Sequence, residues 1–352
     1  VLQPGERIRV LVVDDSAVIR RLVTRALEPE ADLEVVGTAA NGAIGLERVA
    51  QWNPDVLTLD IEMPEMDGLE MLARVRRLYP HLRVIMFSSR TERGAAVTLQ
   101  ALSLGADDYV TKAANGGSIE ASAARLGEEL APKIRQFFRW PGDGAPAPAS
   151  APVCLRREFK APPKAVGIGV STGGPAALGA MLPAFPAEFP LPVLVVQHMP
   201  PLFTRLLAER LHGVCRLPVG EARAGQAVAA GKILIAPGDF HMKVVSGAGN
   251  VRVYLDQSAP QNSCRPAVDA LFASMAEVYG GAVIAVILTG MGRDGLRGAQ
   301  ILRAQGASIL AQDEASSVVW GMPGAVANAG LADRVLGLDH IVPEILRLAG
   351  GR

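Results

Sequence analysis

An excess of charge of either sign is missing from this sequence: 35 Lys and Arg residues stand against 35 Asp and Glu, for a formal net charge of zero. Such a balance removes the usual reason to expect nucleic acid or an anionic membrane as partner. Cysteine is scarce as well. Cys154, Cys215 and Cys264 are odd in number, widely spaced and without a CxxC pair. That pattern argues against a disulfide framework or a zinc site and fits a reducing cytoplasm. No apolar run approaches the ~20 residues needed to span a bilayer, and the opening VLQPGERIRV does not read as a signal peptide. Direct membrane insertion is therefore not expected.

What is present is ordinary globular material. Hydrophobic residues make up 49% of the 352 and charged residues 20%, enough apolar surface for two cores. One stretch stands apart, the Pro/Ala-rich PGDGAPAPASAPVCLRREFKAPP of residues 141–163, whose composition favours an extended connection over a packed core. It divides the chain into an N-terminal domain over 1–130, a linker over 131–163 and a C-terminal domain over 164–352. On either side of it, short apolar runs alternate with helical patterns. Val10–Val13, Leu33–Val36, Val56–Leu59, Val84–Phe87 and Tyr109–Thr111 read as strands before the linker. Ala165–Val170, Val193–Gln197, Lys232–Ile235, Val283–Leu288 and Ser308–Ala311 read as strands after it, with a β-hairpin around GAGN at 247–250. The fold class is α/β: two doubly wound domains with mainly parallel sheets.

Asp14 and Asp15 follow the run VLVV, and Asp60 follows VLTL. Functional groups of open parallel sheets gather outside the carboxyl ends of strands, so three carboxylates converge if those strands are neighbours. Like charges that close call for a cation, and a hard divalent ion such as Mg²⁺ suits them. Ser88 and Lys112 fall at the same edge, where a hydroxyl and an ammonium complete a site for a phosphoryl group on an aspartate. Alone, the Asp14–Asp15 pair reads equally as a helix cap. Together with VDDS (13–16), LDIEMPEMDGLEML (59–72), FSSRT (87–91) and GADDYVTK (105–112), it resembles the receiver domain of two-component response regulators, a flavodoxin-like fold. The resemblance implies that Asp60 accepts phosphate from a histidine kinase. It implies that Asp14, Asp15, Asp60 and the backbone carbonyl of Glu62 hold Mg²⁺. Lys112 then contacts the phosphate, Ser88 is the switch hydroxyl and Tyr109 the aromatic that changes rotamer. Ala113 departs from the pattern, since receivers usually carry proline after the lysine.

The second domain opens with KAVGIGVSTGGPAAL (164–178), a strand, a glycine-rich turn and a helix. Gly169-Val170-Ser171-Thr172-Gly173 fits GxSxG, where small neighbours let a serine hydroxyl project. A base and an orienting acid are needed to activate it. His198 follows VLVVQ, and Asp294 lies in LTGMGRDG after VIAVI, both at strand ends. A dinucleotide site is the competing reading, but the third glycine falls at 173 and GxGxxG fails. His241 and Asp239 are rival partners, placed less favourably beside the hairpin. The order Ser…His…Asp differs from that of ordinary α/β-hydrolases.

The stretches GVSTGGPAAL, VVQHMPPLFTRLLAERL (195–211), IAPGDFHM (235–242), RPAVDALF (265–272), ILTGMGRDGLRGAQ (287–300) and ASSVVWGMPGAV (315–326) resemble the catalytic domain of the chemotaxis protein-glutamate methylesterase family. The resemblance implies a Rossmann-like serine hydrolase domain with Ser171 as nucleophile, His198 as base and Asp294 as orienting acid. It places the Met291 amide in the oxyanion hole, with Thr172 close to the nucleophile. Methyl-esterified glutamates on the cytoplasmic helices of chemoreceptors are the implied substrate, with glutamine deamidation as a second activity and no cofactor for the esterase. The Pro/Ala-rich linker, which tethers the two domains while allowing reorientation, motivates the expectation that the unphosphorylated receiver packs over the Ser171 cleft and blocks it. Two rivals are a DNA-binding output domain, disfavoured by the absence of a basic helix–turn–helix segment, and a receptor adaptor without catalysis.

Overall fold

Apolar runs of four to six residues, each followed by a helical segment, build two parallel sheets in the computed structural model, which describes residues 6–89, 91–112, 118–138, 162–247 and 249–350. The chain forms two compact units, Val1–Ala145 and Pro146–Arg352. Ala113, Cys154 and most of the 131–163 segment lie outside the described residues. Among the described residues, no helix is long and apolar enough to cross a membrane.

The first unit runs β1 (Ile8–Val13), α1 (Ala17–Leu27), β2 (Leu33–Ala39), α2 (Gly42–Trp52), β3 (Val56–Asp60), α3 (Gly68–Leu78), β4 (Arg83–Ser88), α4 (Glu92–Ser103), β5 (Asp108–Thr111) and α5 (Ile119–Arg135). Its strands pair in parallel in the order β2-β1-β3-β4-β5. Ile8, Val10 and Val12 share a core with Val23 and Leu27 of α1 and Leu130 and Ile134 of α5. Their alternates Leu11 and Val13 are equally buried, as a sheet covered on both faces requires. Caps set the helix starts: Ser16 accepts from the Ile19 amide and Asp67 from the Glu70 amide. The expected boundary at 130 falls inside α5. Ala131 and Ile134 are buried in this core, and Phe137 and Phe138 pack against it, so apolar contact carries the domain to the end of its described chain at 138.

The second unit runs β6 (Ala165–Val170), α6 (Gly174–Met181), β7 (Val193–Gln197), α7 (Pro201–His212), β8 (Val219–Glu221), β9 (Ile233–Ile235), β10 (His241–Gly247) and β11 (Asn250–Asp256). It continues with α8 (Val268–Tyr279), β12 (Val283–Ile287), α9 (Leu296–Gln305), β13 (Ser308–Gln312), α10 (Met322–Asn328), β14 (Arg334–Leu336) and α11 (Leu338–Leu348). Seven strands form one parallel sheet in the order β14-β13-β12-β6-β7-β9-β8. The expected hairpin is β10-β11, an antiparallel pair that stands apart from this sheet. It leans on α8, where Ser274 Oγ accepts from the Val244 amide at 3.0 Å.

In both sheets the first strand is internal and the chain departs to each side of it. β1 lies between β2 and β3, and β6 lies between β7 and β12. Reversal of strand order opens a crevice at the carboxyl ends, where loops diverge instead of covering the edge.

Candidate functional site

At the carboxyl edge of the first sheet, β1 delivers Asp14 and Asp15 and β3 ends on Asp60. Carboxylate oxygens of these three residues lie within 4.8 Å of one another. Asp14 and Asp60 are buried and Asp15 is exposed. Lys112, just past β5, places Nζ 2.8 Å from Asp60 Oδ1 and 3.0 Å from Asp14 Oδ2. Burial, aided by the Asp14 charge, pushes the Asp60 carboxyl up to about 6, against the pull of the Lys112 hydrogen bond. Burial alone would lower Lys112, but its contacts with Asp60 and Asp14 hold it above the ordinary lysine value. Asp14 Oδ2 is buried without an aligned hydrogen-bond donor, despite the nearby ammonium. A buried lone pair within a trio of carboxylates fits a hard divalent cation. The Glu62 side chain is not part of the trio; it is exposed, 3.9 Å from Arg93 Nε.

Ser88 closes β4 with its hydroxyl turned toward α4: Thr98 Oγ1 donates to it at 2.6 Å, and it donates to the Ser89 carbonyl at 3.0 Å. Tyr109 in β5 is buried, with Lys133 Nζ 5.2 Å from its ring centroid. The loop from β3 into α3 closes tightly at Gly68, where a Cβ would stand 2.1 Å from the Asp60 carbonyl oxygen.

The second crevice gathers residues from three adjacent strands. Ser171 follows β6; its amide donates to the Thr289 carbonyl at 3.0 Å, and its carbonyl accepts from Gly174 N and Gln197 Nε2. The left-handed residue of this turn is Gly173, at φ +77°, so Ser171 carries no positive-φ strain. Gly290, after β12, presses on the serine: a Cβ there would meet Ser171 Cβ at 2.7 Å.

His198 follows β7, and its Nε2 lies 2.8 Å from Asp294 Oδ2. Asp294 is buried and heavily solvated by donors. Oδ2 also accepts from the Val268 amide at 2.6 Å, while Oδ1 accepts from the amides of Asp269 and Gly295 and from Asn262 Nδ2, each at 3.0 Å. Burial alone would raise the Asp294 carboxyl; the His198 hydrogen bond and charge, with these amides, hold it below the ordinary value. Burial alone would lower His198, but the bonds to Asp294 and then Cys264 push it up to about 9.

Nε2 being committed to the carboxylate, Nδ1 is the nitrogen left to act as base. In the familiar serine-protease triad the two nitrogens have the opposite assignment. Here Nδ1 is 3.5 Å from Cys264 Sγ. Among the described residues, no hydrogen bond joins Ser171 Oγ to His198. Met291 is exposed in the β12–α9 loop, its amide free of partners among the described residues, and Gly292 behind it takes φ +82°. Thr172 is partly exposed, and its carbonyl accepts from Thr289 Oγ1 at 2.9 Å.

The rival residues lie elsewhere. His241 is buried in β10 with Nε2 on the Ala259 carbonyl at 3.1 Å, and Asp239 pairs with Arg265. Sequence reasoning missed Asn262, Cys264, Asp269 and Gln197. Asn262 Nδ2 bridges Asp294 Oδ1 and Asp269 Oδ2, both at 3.0 Å, and Gln197 tethers the Ser171 carbonyl. Of the four, Asp269 and Gln197 had a visible signal, lying within the RPAVDALF and VVQHMPPLFTRLLAERL stretches.

An acidic phosphoacceptor-type crevice on one sheet and a serine beside a histidine–aspartate couple on another define a two-domain signalling hydrolase. The response regulator receiver domain family matches residues 10–124, and the CheB methylesterase family matches residues 166–345. A protein-glutamate methylesterase/protein-glutamine glutaminase from Trichodesmium erythraeum is 48% identical over 361 residues, covering 98% of this chain and 99% of that protein. One of the same name from a Nocardioides species is 51% identical over 353 residues, covering 98% of this chain and 95% of its own. The crystal structure of the Thermotoga maritima CheB methylesterase catalytic domain superposes with a TM-score of 0.52 at 45% identity, covering 53% of this chain and 100% of that one. The chain belongs to the CheB methylesterase family, with a receiver domain at its N-terminus.

Proposed function

We propose that this protein hydrolyses glutamate γ-methyl esters on the cytoplasmic helices of chemoreceptors, releasing methanol, and deamidates glutamine at equivalent positions. Phosphorylation of Asp60 by a histidine kinase controls it, and the cytoplasm is where kinase and receptor helices meet it. The observation that carries the reading is the His198–Asp294 couple beside Ser171 at the switch point of the sheet, in a chain matched end to end by relatives bearing that name.

In the hydrolytic cycle Ser171 Oγ attacks the ester carbonyl while His198 Nδ1 takes its proton, exchanging its contact with Cys264 for one with the serine. Asp294 stays ionised and stabilises the imidazolium through Nε2. The Met291 amide meets the developing oxyanion, and Thr172 lines the same pocket. Methanol leaves with the proton from Nδ1, and water then repeats the sequence to free the glutamate.

In the receiver, spanning roughly residues 1–130 with the end of α5, the Asp60 carboxylate is the phosphoacceptor. Asp14, Asp15, Asp60 and the Glu62 backbone carbonyl would hold Mg²⁺, which offsets their like charges and that of an incoming phosphoryl group. Lys112 contacts the phosphoryl oxygens, and Ser88 with Tyr109 reports the change to the domain surface. The Pro/Ala-rich linker tethers this domain to the esterase over 164–352.

The test is methanol release from methylated receptor membranes, comparing the wild type with Ser171→Ala, each with and without acetyl phosphate and Mg²⁺. Release that requires Ser171 and rises with the phosphodonor supports both halves. Release indifferent to the donor retains the esterase and removes the control; no release from receptor overturns the esterase.

A further inference from the structure

Cys264 touches the base nitrogen of the hydrolytic site, yet the cycle makes no use of it. It lies in the chain between β11 and α8, where reciprocal backbone hydrogen bonds hold it to Gln261 at 3.0 and 2.8 Å. From that backbone Sγ reaches to 3.5 Å from His198 Nδ1. Because Nε2 is held by Asp294, thiol, imidazole and carboxylate form one row, Cys264–His198–Asp294. An imidazole nitrogen within hydrogen-bond reach of a thiol stands where it can accept the thiol proton as the sulfur attacks, the arrangement that makes cysteines nucleophilic. Cys264 is partly exposed, so a small reagent reaches it. Cys215 offers the contrast within one domain: among the described residues no hydrogen bond joins its thiol to an imidazole, and burial pushes it up to about 11.

We propose that Cys264 is a modification site for low-molecular-weight disulfides, and that its mixed disulfide shuts the esterase off. The second half rests on the reading of Ser171 and His198 given above. Cys264 Sγ attacks one sulfur of R–S–S–R as His198 Nδ1 accepts its proton; the Sγ–S bond forms as the S–S bond of the reagent breaks. The other half leaves as a thiolate and takes the proton that His198 had removed, so the disulfide is the only oxidant consumed. The adduct then occupies the side of the ring that Ser171 must approach. Excess thiol runs the same exchange backwards and restores the base. Thiol oxidation would thus act on the esterase directly, independently of Asp60.

Oxidised glutathione serves as the probe, applied to the full chain. Peptide mass mapping follows adducts at Cys154, Cys215 and Cys264, and methanol release from methylated receptor is measured in parallel. The expected result is that Cys264 reacts at least about tenfold faster than Cys215, and that His198→Gln slows it by about the same factor. Methanol release falls in proportion to the Cys264 adduct and returns with dithiothreitol. Cys264→Ser retains a hydrogen-bonding group, and its release, relative to its own untreated rate, ignores the disulfide. Reaction at Cys264 no faster than at Cys215, or a full adduct with release unchanged, overturns the proposal. Mass mapping needs no ester, so a chain that never released methanol would defeat the methylesterase reading while the His198 dependence still decided the thiol chemistry.

Discussion

His198 carries two opposite pH effects, because one raised pKa governs both its readiness as a base and its hold on Asp294. A base must be neutral to accept a proton, so kcat/KM for methanol release should climb with pH through about 9. Asp294→Asn removes the largest raising contact and should move that limb toward the ordinary ~6.5, with kcat lower by roughly 10⁴. Stability runs the other way. The fold favours the protonated ring, a contribution complete below ~6.5 and lost as pH rises toward about 9. Thermal unfolding of the second unit across that window should therefore show a falling Tm while activity rises, and Asp294→Asn should flatten the fall. Ser171→Ala should cost at least ~10³ in release with Tm almost unchanged. Of these groups, Ser171, His198 and Asp294 were legible from their places after apolar runs. Asn262 and Cys264 were not, because they reach the site from an irregular segment and meet Asp294 and His198 across 32 and 66 positions of sequence. Nothing periodic marks such a contact.

At the scale of elements, the strand-to-helix junctions are closed by glycines that stand where a methyl group has no room. Gly68→Ala would drive Cβ against the Asp60 carbonyl oxygen, a backbone atom that yields only if the loop moves. It should destabilise the first unit by roughly 1–3 kcal/mol and slow acetyl phosphate labelling of Asp60; labelling and unfolding at wild-type values would count against this packing account. Gly290→Ala meets Ser171 and Met322 Sδ instead, and should lower release more than it lowers Tm. The long elements were readable because a strand of five or six buried residues leaves a run, and an amphipathic helix leaves a stripe. β8 and β14, at three residues each, are too short to show a period and take their strand character from the neighbours they pair with. α10 and α11 were passed over as well. α10 is only seven residues long, and α11 has Pro343 inside it.

For the whole molecule, the separable quantities are phosphorylation and hydrolysis. Asp60→Asn should leave Ser171-dependent methanol release measurable but unresponsive to acetyl phosphate. Chelation of Mg²⁺ should block labelling of wild-type Asp60 while sparing unstimulated release. Removing residues 1–138 tests restraint by the receiver: release from the shortened chain should exceed that of the unphosphorylated full chain, and equal rates would refute such restraint. The order of elements along the chain also bears on its synthesis. The receiver's first strand and both its neighbours, β1, β2 and β3, lie within the first 60 residues. The esterase's central strand, β6, starts its unit, but β12 and Asp294 come more than a hundred residues later. A nascent chain emerging from the ribosome N-terminus first thus holds those three receiver strands while Ser171 still waits for Asp294.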